Sequence, residues 1–240
     1  MLKRIFPEMT DRPEKGMTVA VFFYGLAAFI LLPTFLVFMG ADVWNDTGMT
    51  AWLELVYHVL NGVVVAAMFG SYLGESFFNV QLYTKKFFKT VGLASLLMLT
   101  LALELQYGLD IWMGDAYPIN ELAVTMTSGL MVNEIPLWGT LCYSLATPFA
   151  VAGLFYAVGF APWCCRKPWL GYLTVMVAVL IPVLLDVNWR GGWELALPIY
   201  ILQLPIHLIA CWAYQKADTI WAPIVSLMIF NLGTSLLSLL

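Results

Sequence analysis

Residues 136–187 read PLWGTLCYSLATPFAVAGLFYAVGFAPWCCRKPWLGYLTVMVAVLIPVLLDV. Two long apolar runs are separated by the cationic turn WCCRKPW, and each run is about the length a helix needs to cross hydrocarbon. The pattern predicts a membrane hairpin with spans at 136–161 and 168–187. Working outward, comparable runs occur at 18–39, 53–73, 90–107, 194–214 and 219–240. Because the runs are continuous rather than alternating, the expected class is all-α, not a closed β-barrel. The expectation is a polytopic helical membrane protein with about seven transmembrane helices and one interfacial helix.

Composition agrees. Of the 240 residues 62% are hydrophobic and only 11% charged, and the mean hydropathy is +0.85, more apolar surface than a soluble domain of this size can hide. Ten of the 11 Lys and Arg fall in segments that alternate with the opposite side: Lys3, Arg4, Arg12, Lys15, Lys85, Lys86, Lys89, Arg166, Lys167 and Lys216, against Arg190 alone. The positive-inside rule then predicts a multi-pass cell-membrane protein with a cytoplasmic N-terminus. Asp42, Asp46, Asp110, Asp115, Glu121 and Glu194, with Trp44, Trp52, Trp112, Trp189 and Trp193, fall in the outer loops, where Trp suits an interfacial belt. The first apolar run follows a 16-residue polar leader and is too long for a cleavable signal peptide. The net charge of −4 gives no indication of nucleic-acid binding.

The chain reads as one membrane domain over 1–240, with a cytoplasmic leader at 1–17 and three N-terminal helices over 18–107. An outer loop covers 108–135 and a four-helix region 136–240. Within the loop, NELAVTMTSGLMVNE at 120–134 is too polar to span and predicts an interfacial helix. Cys142, Cys164, Cys165 and Cys211 fall in spans or at the inner face, and read as free thiols. Cys164 and Cys165 beside Arg166 are positioned for acylation, although small packing residues at a helix end explain them as well. Gly70-x-x-x-Gly74 suits close helix packing.

Ionisable groups inside spans are costly and are functional candidates. Glu54 and His58, at i,i+4 on one face, fit either a hydrogen-bonded pair or a metal or proton site, the pair being favoured so close to the interface. Glu104 and Glu134 lie near headgroups. His207 reads as a helix-to-helix hydrogen bonder or a functional group. Counting at about 1.5 Å per residue puts Val151, Asp186 and Asn231 at roughly 22, 28 and 20 Å from the inner face, one outer-leaning layer shared by three helices. The candidate polar site is therefore Asp186 and Asn231, with His207 and Glu134 as further members. No metal site or cofactor is expected, and HExxH, GxSxG and phosphate-binding Gly loops are all missing.

Three segments of the last hundred residues carry a resemblance. AYQKADTIWAPIVSLMIFNL at 213–232 is similar to the closing segment of the CPBP family, the CAAX proteases and bacteriocin-processing (Abi) proteins of bacteria. In that family a Tyr-containing loop leads into a helix bearing His and, four positions on, Asn. Asn231 holds the Asn position and Leu227 the His position. ATPFAVAGLFYAVGF at 146–160 resembles the family's paired-glutamate motif. Pro148, Leu154 and Phe155 match, Val151 and Ala152 stand at the glutamates, and Tyr156 stands at the Arg. KPWLGYLTVMVAVLIPVLLDV at 167–187 resembles the Phe-x-x-x-His helix, with Pro182 and Asp186 at those two positions.

The resemblance implies an intramembrane endopeptidase frame in which a Glu, helped by His residues, activates water. Val151, Ala152 and Leu227 cannot serve as the base or orient a water. The expected function is therefore that of a pseudoenzyme, a CPBP-like scaffold, regulator or immunity-type factor that binds another membrane protein or a hydrophobic peptide in the lipid bilayer. Two alternatives stand beside it. One is an endopeptidase using a displaced set of Asp186, His207 and Glu134. The other is a transporter or channel subunit, against which the scarcity of mid-membrane charge argues.

Overall fold

The computed structural model describes residues 9–32, 47–113, 137–190 and 196–237, and every regular element among them is helical. In chain order these are α1 (Lys15–Leu31), α2 (Thr47–Met68), α3 (Gly70–Leu82), α4 (Thr84–Met113), α5 (Leu137–Cys164), α6 (Pro168–Arg190), α7 (Ala196–Ala217) and α8 (Trp221–Leu237). By length and composition α4, α5 and α7 can each cross a bilayer, and α2 with α3 makes a fourth candidate if the bent pair is one span. Helix α1, the Pro168–Leu184 part of α6, and Trp221–Leu236 of α8 are shorter apolar stretches of 10–17 residues. The interfacial helix expected at 120–134, Glu134 and the outer-loop acids Asp42, Asp46, Asp115, Glu121 and Glu194 all lie outside the described residues.

Two expectations need correction. The run at 53–73 is not one straight helix: it breaks at Phe69, whose φ −97 and ψ 9 place it in the bridge region, and α3 leaves α2 at 78°. In addition, Gly70 and Gly74 form no packing seam, since a Cβ at either would meet nothing within 4 Å. The close approach lies elsewhere. A Cβ at Gly62 would sit 2.2 Å from the Ala146 carbonyl oxygen, and one at Gly153 would sit 2.4 Å from Val65 Cγ1. Only glycine lets the α2 and α5 backbones come so near.

Contacts fix the direction of each helix. Along the α2–α5 seam Trp52 meets Trp138, with ring centroids 5.6 Å apart, His58 meets Tyr143 at 5.3 Å and Gly62 meets Ala146, so these two helices run parallel. Helix α1 runs against α2, because Tyr24 bonds Asn61 and Tyr57 bonds the Ala28 carbonyl. Helix α7 runs against α6, with Tyr172 on Gln215 and Val183 packed with Ile199. It also runs against α4, where Leu109 packs with Leu202 and Ala94 clusters with Ala213. Helix α8 runs along α4, with Ser95 on the Ser226 carbonyl and Gly233 against Leu99. Apart from the α3 elbow, the seven remaining helices alternate up and down.

The alternation collects charge. The α2–α3 elbow, the start of α4, the α5–α6 turn, the α7–α8 turn and the segment before α1 share one end of the bundle. That end carries Arg12, Lys15, Lys85, Lys86, Lys89, Arg166, Lys167 and Lys216, while Arg190 closes α6 at the other end. It is called the inner end below, following the positive-inside expectation.

Helix α5 changes gauge partway along. Residues Leu137–Val151 are α-helical, and Ala152–Phe160 widen into a π-helix. Pro148, one turn earlier, lacks the N–H that would bond the Ser144 carbonyl, which loosens the ladder just ahead of the widened stretch. The π segment delivers Ala152, Tyr156, Ala157 and Phe160 into the largest buried cluster, with Val175 and Val179 of α6, Ala210, Cys211 and Tyr214 of α7, and Ile224, Leu227 and Phe230 of α8.

Candidate functional site

Three of the residues that the resemblance singles out, Ala152, Tyr156 and Leu227, are packed into the core. Ala152 and Tyr156 are both 0% exposed and Leu227 is 6% exposed. Val151 and Asn231 are half-buried, and the Asn231 backbone carbonyl accepts from Thr234 Oγ1 at 3.0 Å and Ser235 Oγ at 2.7 Å. At this place in the core the side chains of Val151, Ala152 and Leu227 bring no proton acceptor.

The polar feature of this region is Tyr156 with His207. The Tyr156 hydroxyl lies 2.8 Å from His207 Nδ1, joining the π segment of α5 to α7, and the Phe155 ring sits 4.9 Å from the imidazole at a tilt of 32°. With the ring proton on Nε2, Tyr156 donates to Nδ1; with it on Nδ1, the imidazole donates to the Tyr156 hydroxyl oxygen, so either tautomer keeps the bond. Such a pair locks two helices in register. By itself it supplies neither an activated nucleophile nor a second group to stabilise charge.

Depth can be recounted from the inner helix ends. Tyr156 is about 8 residues before Cys164, His207 about 10 before Ala217 and Asn231 about 10 after Trp221, which is roughly 12, 15 and 15 Å. Val151 stands at roughly 20 Å and Asp186 at roughly 27 Å on the same count. The mid-depth layer thus holds Tyr156, His207 and Asn231, and Asp186 stands two turns further toward the outer end. The Asp186 side chain and Glu134 lie outside the described residues, as does the side chain of Glu54. His58 packs edge-on between Tyr57 and Tyr143, and Glu104 is exposed on α4. Among the described residues no three His, Cys, Asp or Glu side chains gather as a metal site would need.

A second polar cluster, at the inner end, contains residues that motif reading passes over. The leader turns inward so that Met9 and Pro13 are buried and Asp11 reaches between α3, α7 and α8. Asp11 Oδ2 accepts from Ser76 Oγ at 2.8 Å, Tyr72 Oη at 2.9 Å and the Ile220 N–H at 2.9 Å. The Tyr72 hydroxyl also bonds the Tyr214 hydroxyl, which in turn donates to the Asp11 carbonyl at 3.2 Å.

Asp218 answers from the α7–α8 turn. Its Oδ1 accepts the N–H of Thr10 at 2.8 Å and of Asp11 at 2.9 Å, and its Oδ2 accepts the Thr10 hydroxyl at 2.5 Å. Asp218 holds φ 56, a left-handed conformation that Asp tolerates better than most side chains. Asn79 Nδ2 secures the Asp218 carbonyl at 3.0 Å, and Thr219 Oγ1 donates to the Ser76 carbonyl at 3.0 Å. Together these contacts form a clasp that closes the inner end.

Burial, the largest influence, pushes the Asp11 carboxyl up to about 6. The hydrogen bonds from Ser76, Tyr72 and Ile220 oppose the rise, and the Asp218 charge adds to it. Cys165 Sγ donates to the Met9 carbonyl at 3.3 Å, and its thiol is also pushed up, chiefly by burial, with Arg12 pulling the other way. A half-buried, protonated thiol under the leader is a poor acylation target. All four cysteines are free, with Cys142 exposed on α5.

Two signals in the sequence pointed toward the clasp. Tyr72 and Ser76 repeat at i,i+4 on a stretch otherwise read as span and loop, and Asp218-Thr219 precedes an apolar run as helix-start residues do. No family profile, curated protein or solved structure matches the chain.

Proposed function

We propose that this chain is a seven-span integral membrane protein with a cytoplasmic N-terminus that holds another membrane protein or a hydrophobic peptide without cutting it. The observation that carries the reading is the burial of Ala152, Tyr156 and Leu227 in one apolar cluster, at the positions where the CPBP resemblance would call for Glu, Arg and His. Retaining the helical frame while packing its catalytic positions shut suits a scaffold, regulator or immunity-type factor.

The alternating helix directions and the single cationic end support the seven-span topology. The separation in depth between Asp186 and His207, about 12 Å by residue count, weighs against a displaced catalytic pair, because a general base must reach its proton directly or through one water.

The test joins two measurements on protein purified in mild detergent from its native membrane. The expected result is a stoichiometric membrane partner and no cleavage of prenylated or unmodified peptides. Peptide cleavage that His207→Ala or Asp186→Ala abolishes would overturn the reading.

A further inference from the structure

The α2–α3 elbow leaves a surface that the bundle does not use. Helix α3 turns Tyr72, Ser76 and Val80 toward its neighbours and leaves Phe78, Leu82 and Tyr83 well exposed, with Phe77 partly so against Trp221. The first turns of α4 follow at once, with Lys85, Lys86, Phe88 and Lys89 all exposed and Lys86 Nζ 5.8 Å from the centre of the Tyr83 ring. Over residues 70–89 the sole acidic residue is Glu75. Aromatic and aliphatic side chains thus alternate with three cations on one short elbow.

We infer that this elbow is a docking surface for anionic phospholipid headgroups of the inner leaflet. The inference rests on the membrane reading above. With α2 along the membrane normal, the 78° bend lays α3 close to the plane of the bilayer at the cationic end. Phe78, Leu82 and Phe88 then enter the boundary between headgroups and acyl chains, as interfacial helices do. Lys85, Lys86 and Lys89 stand at phosphate level, where each cation attracts an anionic headgroup and salt weakens the attraction. Charge selects the occupant: a zwitterionic headgroup offers no net charge to three lysines, whereas an anionic phospholipid pairs its phosphate with them while its acyl chains cover Phe78, Leu82 and Phe88.

The experiment reconstitutes the full chain in nanodiscs of phosphatidylcholine alone or mixed equally with phosphatidylglycerol. Native mass spectrometry then reads the lipids retained when the protein is released. Wild type should retain phosphatidylglycerol over phosphatidylcholine, and Lys85→Gln/Lys86→Gln/Lys89→Gln should lose that preference by about fivefold per lysine removed. Arg166→Gln/Lys167→Gln, a control at the same end, should keep it.

Equal retention of the two lipids by wild type, an unchanged preference in the triple variant, or an equal loss in the control would each overturn the inference while leaving the membrane reading intact. Extraction of the wild-type chain from membranes by alkaline carbonate would overturn the membrane reading, and the docking surface with it.

Discussion

Asp11 Oδ2 accepts the Ile220 N–H at 2.9 Å, so a side chain from ahead of the first helix caps the start of the last one. The first N–H groups of a helix lack partners within it, and the Asp11 oxygen supplies one. The same oxygen is held by Ser76 and Tyr72, and the Asp218 carboxylate returns the favour to the backbone of Thr10 and Asp11. The leader is thereby fastened to three helices.

The Asp11 carboxyl, at about 6 in the clasp against an ordinary 3.8, gives the clasp a pH dependence. The clasped form binds more protons between about pH 4 and 6. It is therefore most stable below about pH 4 and loses up to about 3 kcal/mol as pH rises through 6, after which stability levels off. A nitroxide on Glu14→Cys, in a background lacking the native cysteines, should be more mobile at pH 7 than at pH 4. Asp11→Asn should remove the difference. Mobility that falls with rising pH would contradict the assignment.

Tyr156→Phe removes one interhelical hydrogen bond and leaves the imidazole unpaired at Nδ1, with an expected cost of about 1 kcal/mol. His207→Leu leaves a fully buried hydroxyl stranded and should cost more, about 2 kcal/mol. The double variant should recover part of that loss, since no polar group is then orphaned. Thermal unfolding in detergent measures all three, and strict additivity would show that the two residues are not coupled.

Gly62→Ala and Gly153→Ala should each destabilise the bundle by several kcal/mol, because the new methyl would collide with the Ala146 carbonyl oxygen or with Val65. Gly70→Ala and Gly74→Ala should be neutral or slightly stabilising, as open space surrounds both and alanine is the better helix former. Detergent-resistance profiles of the four variants check the contrast. Equal effects would mean that the α2–α5 seam is misplaced.

Much of the helical layout was readable, because an apolar run of about 20 residues states its own length. Where the chain changes direction inside such a run, hydropathy is blind. Residues 53–73 stay apolar through Phe69, and only the backbone reveals the elbow there. The Gly70-x-x-x-Gly74 spacing misled for a related reason: spacing marks a face of a helix without saying whether another helix lies on it.

The site was less legible than the fold. That Val151, Ala152 and Leu227 cannot do proton chemistry follows from residue type alone. His207 was legible as a helix-to-helix hydrogen bonder, but its partner Tyr156, 51 positions away, was not, because counting residues does not say which side chains meet. Asp11 was hidden differently, in a polar leader where an acidic residue excites no interest until the chain folds back.

The most direct measurement of the account is the sidedness of its helix ends. Single cysteines replace Lys15, Lys85, Lys167 and Lys216 at the inner end, and Trp112 and Arg190 at the outer, in a background without native cysteines, with a membrane-impermeant maleimide as probe. Trp112→Cys and Arg190→Cys should label in intact cells, and the four inner sites only after the membrane is opened. Labelling of Lys85→Cys or Lys167→Cys in intact cells would contradict the alternating seven-helix arrangement and the function built on it.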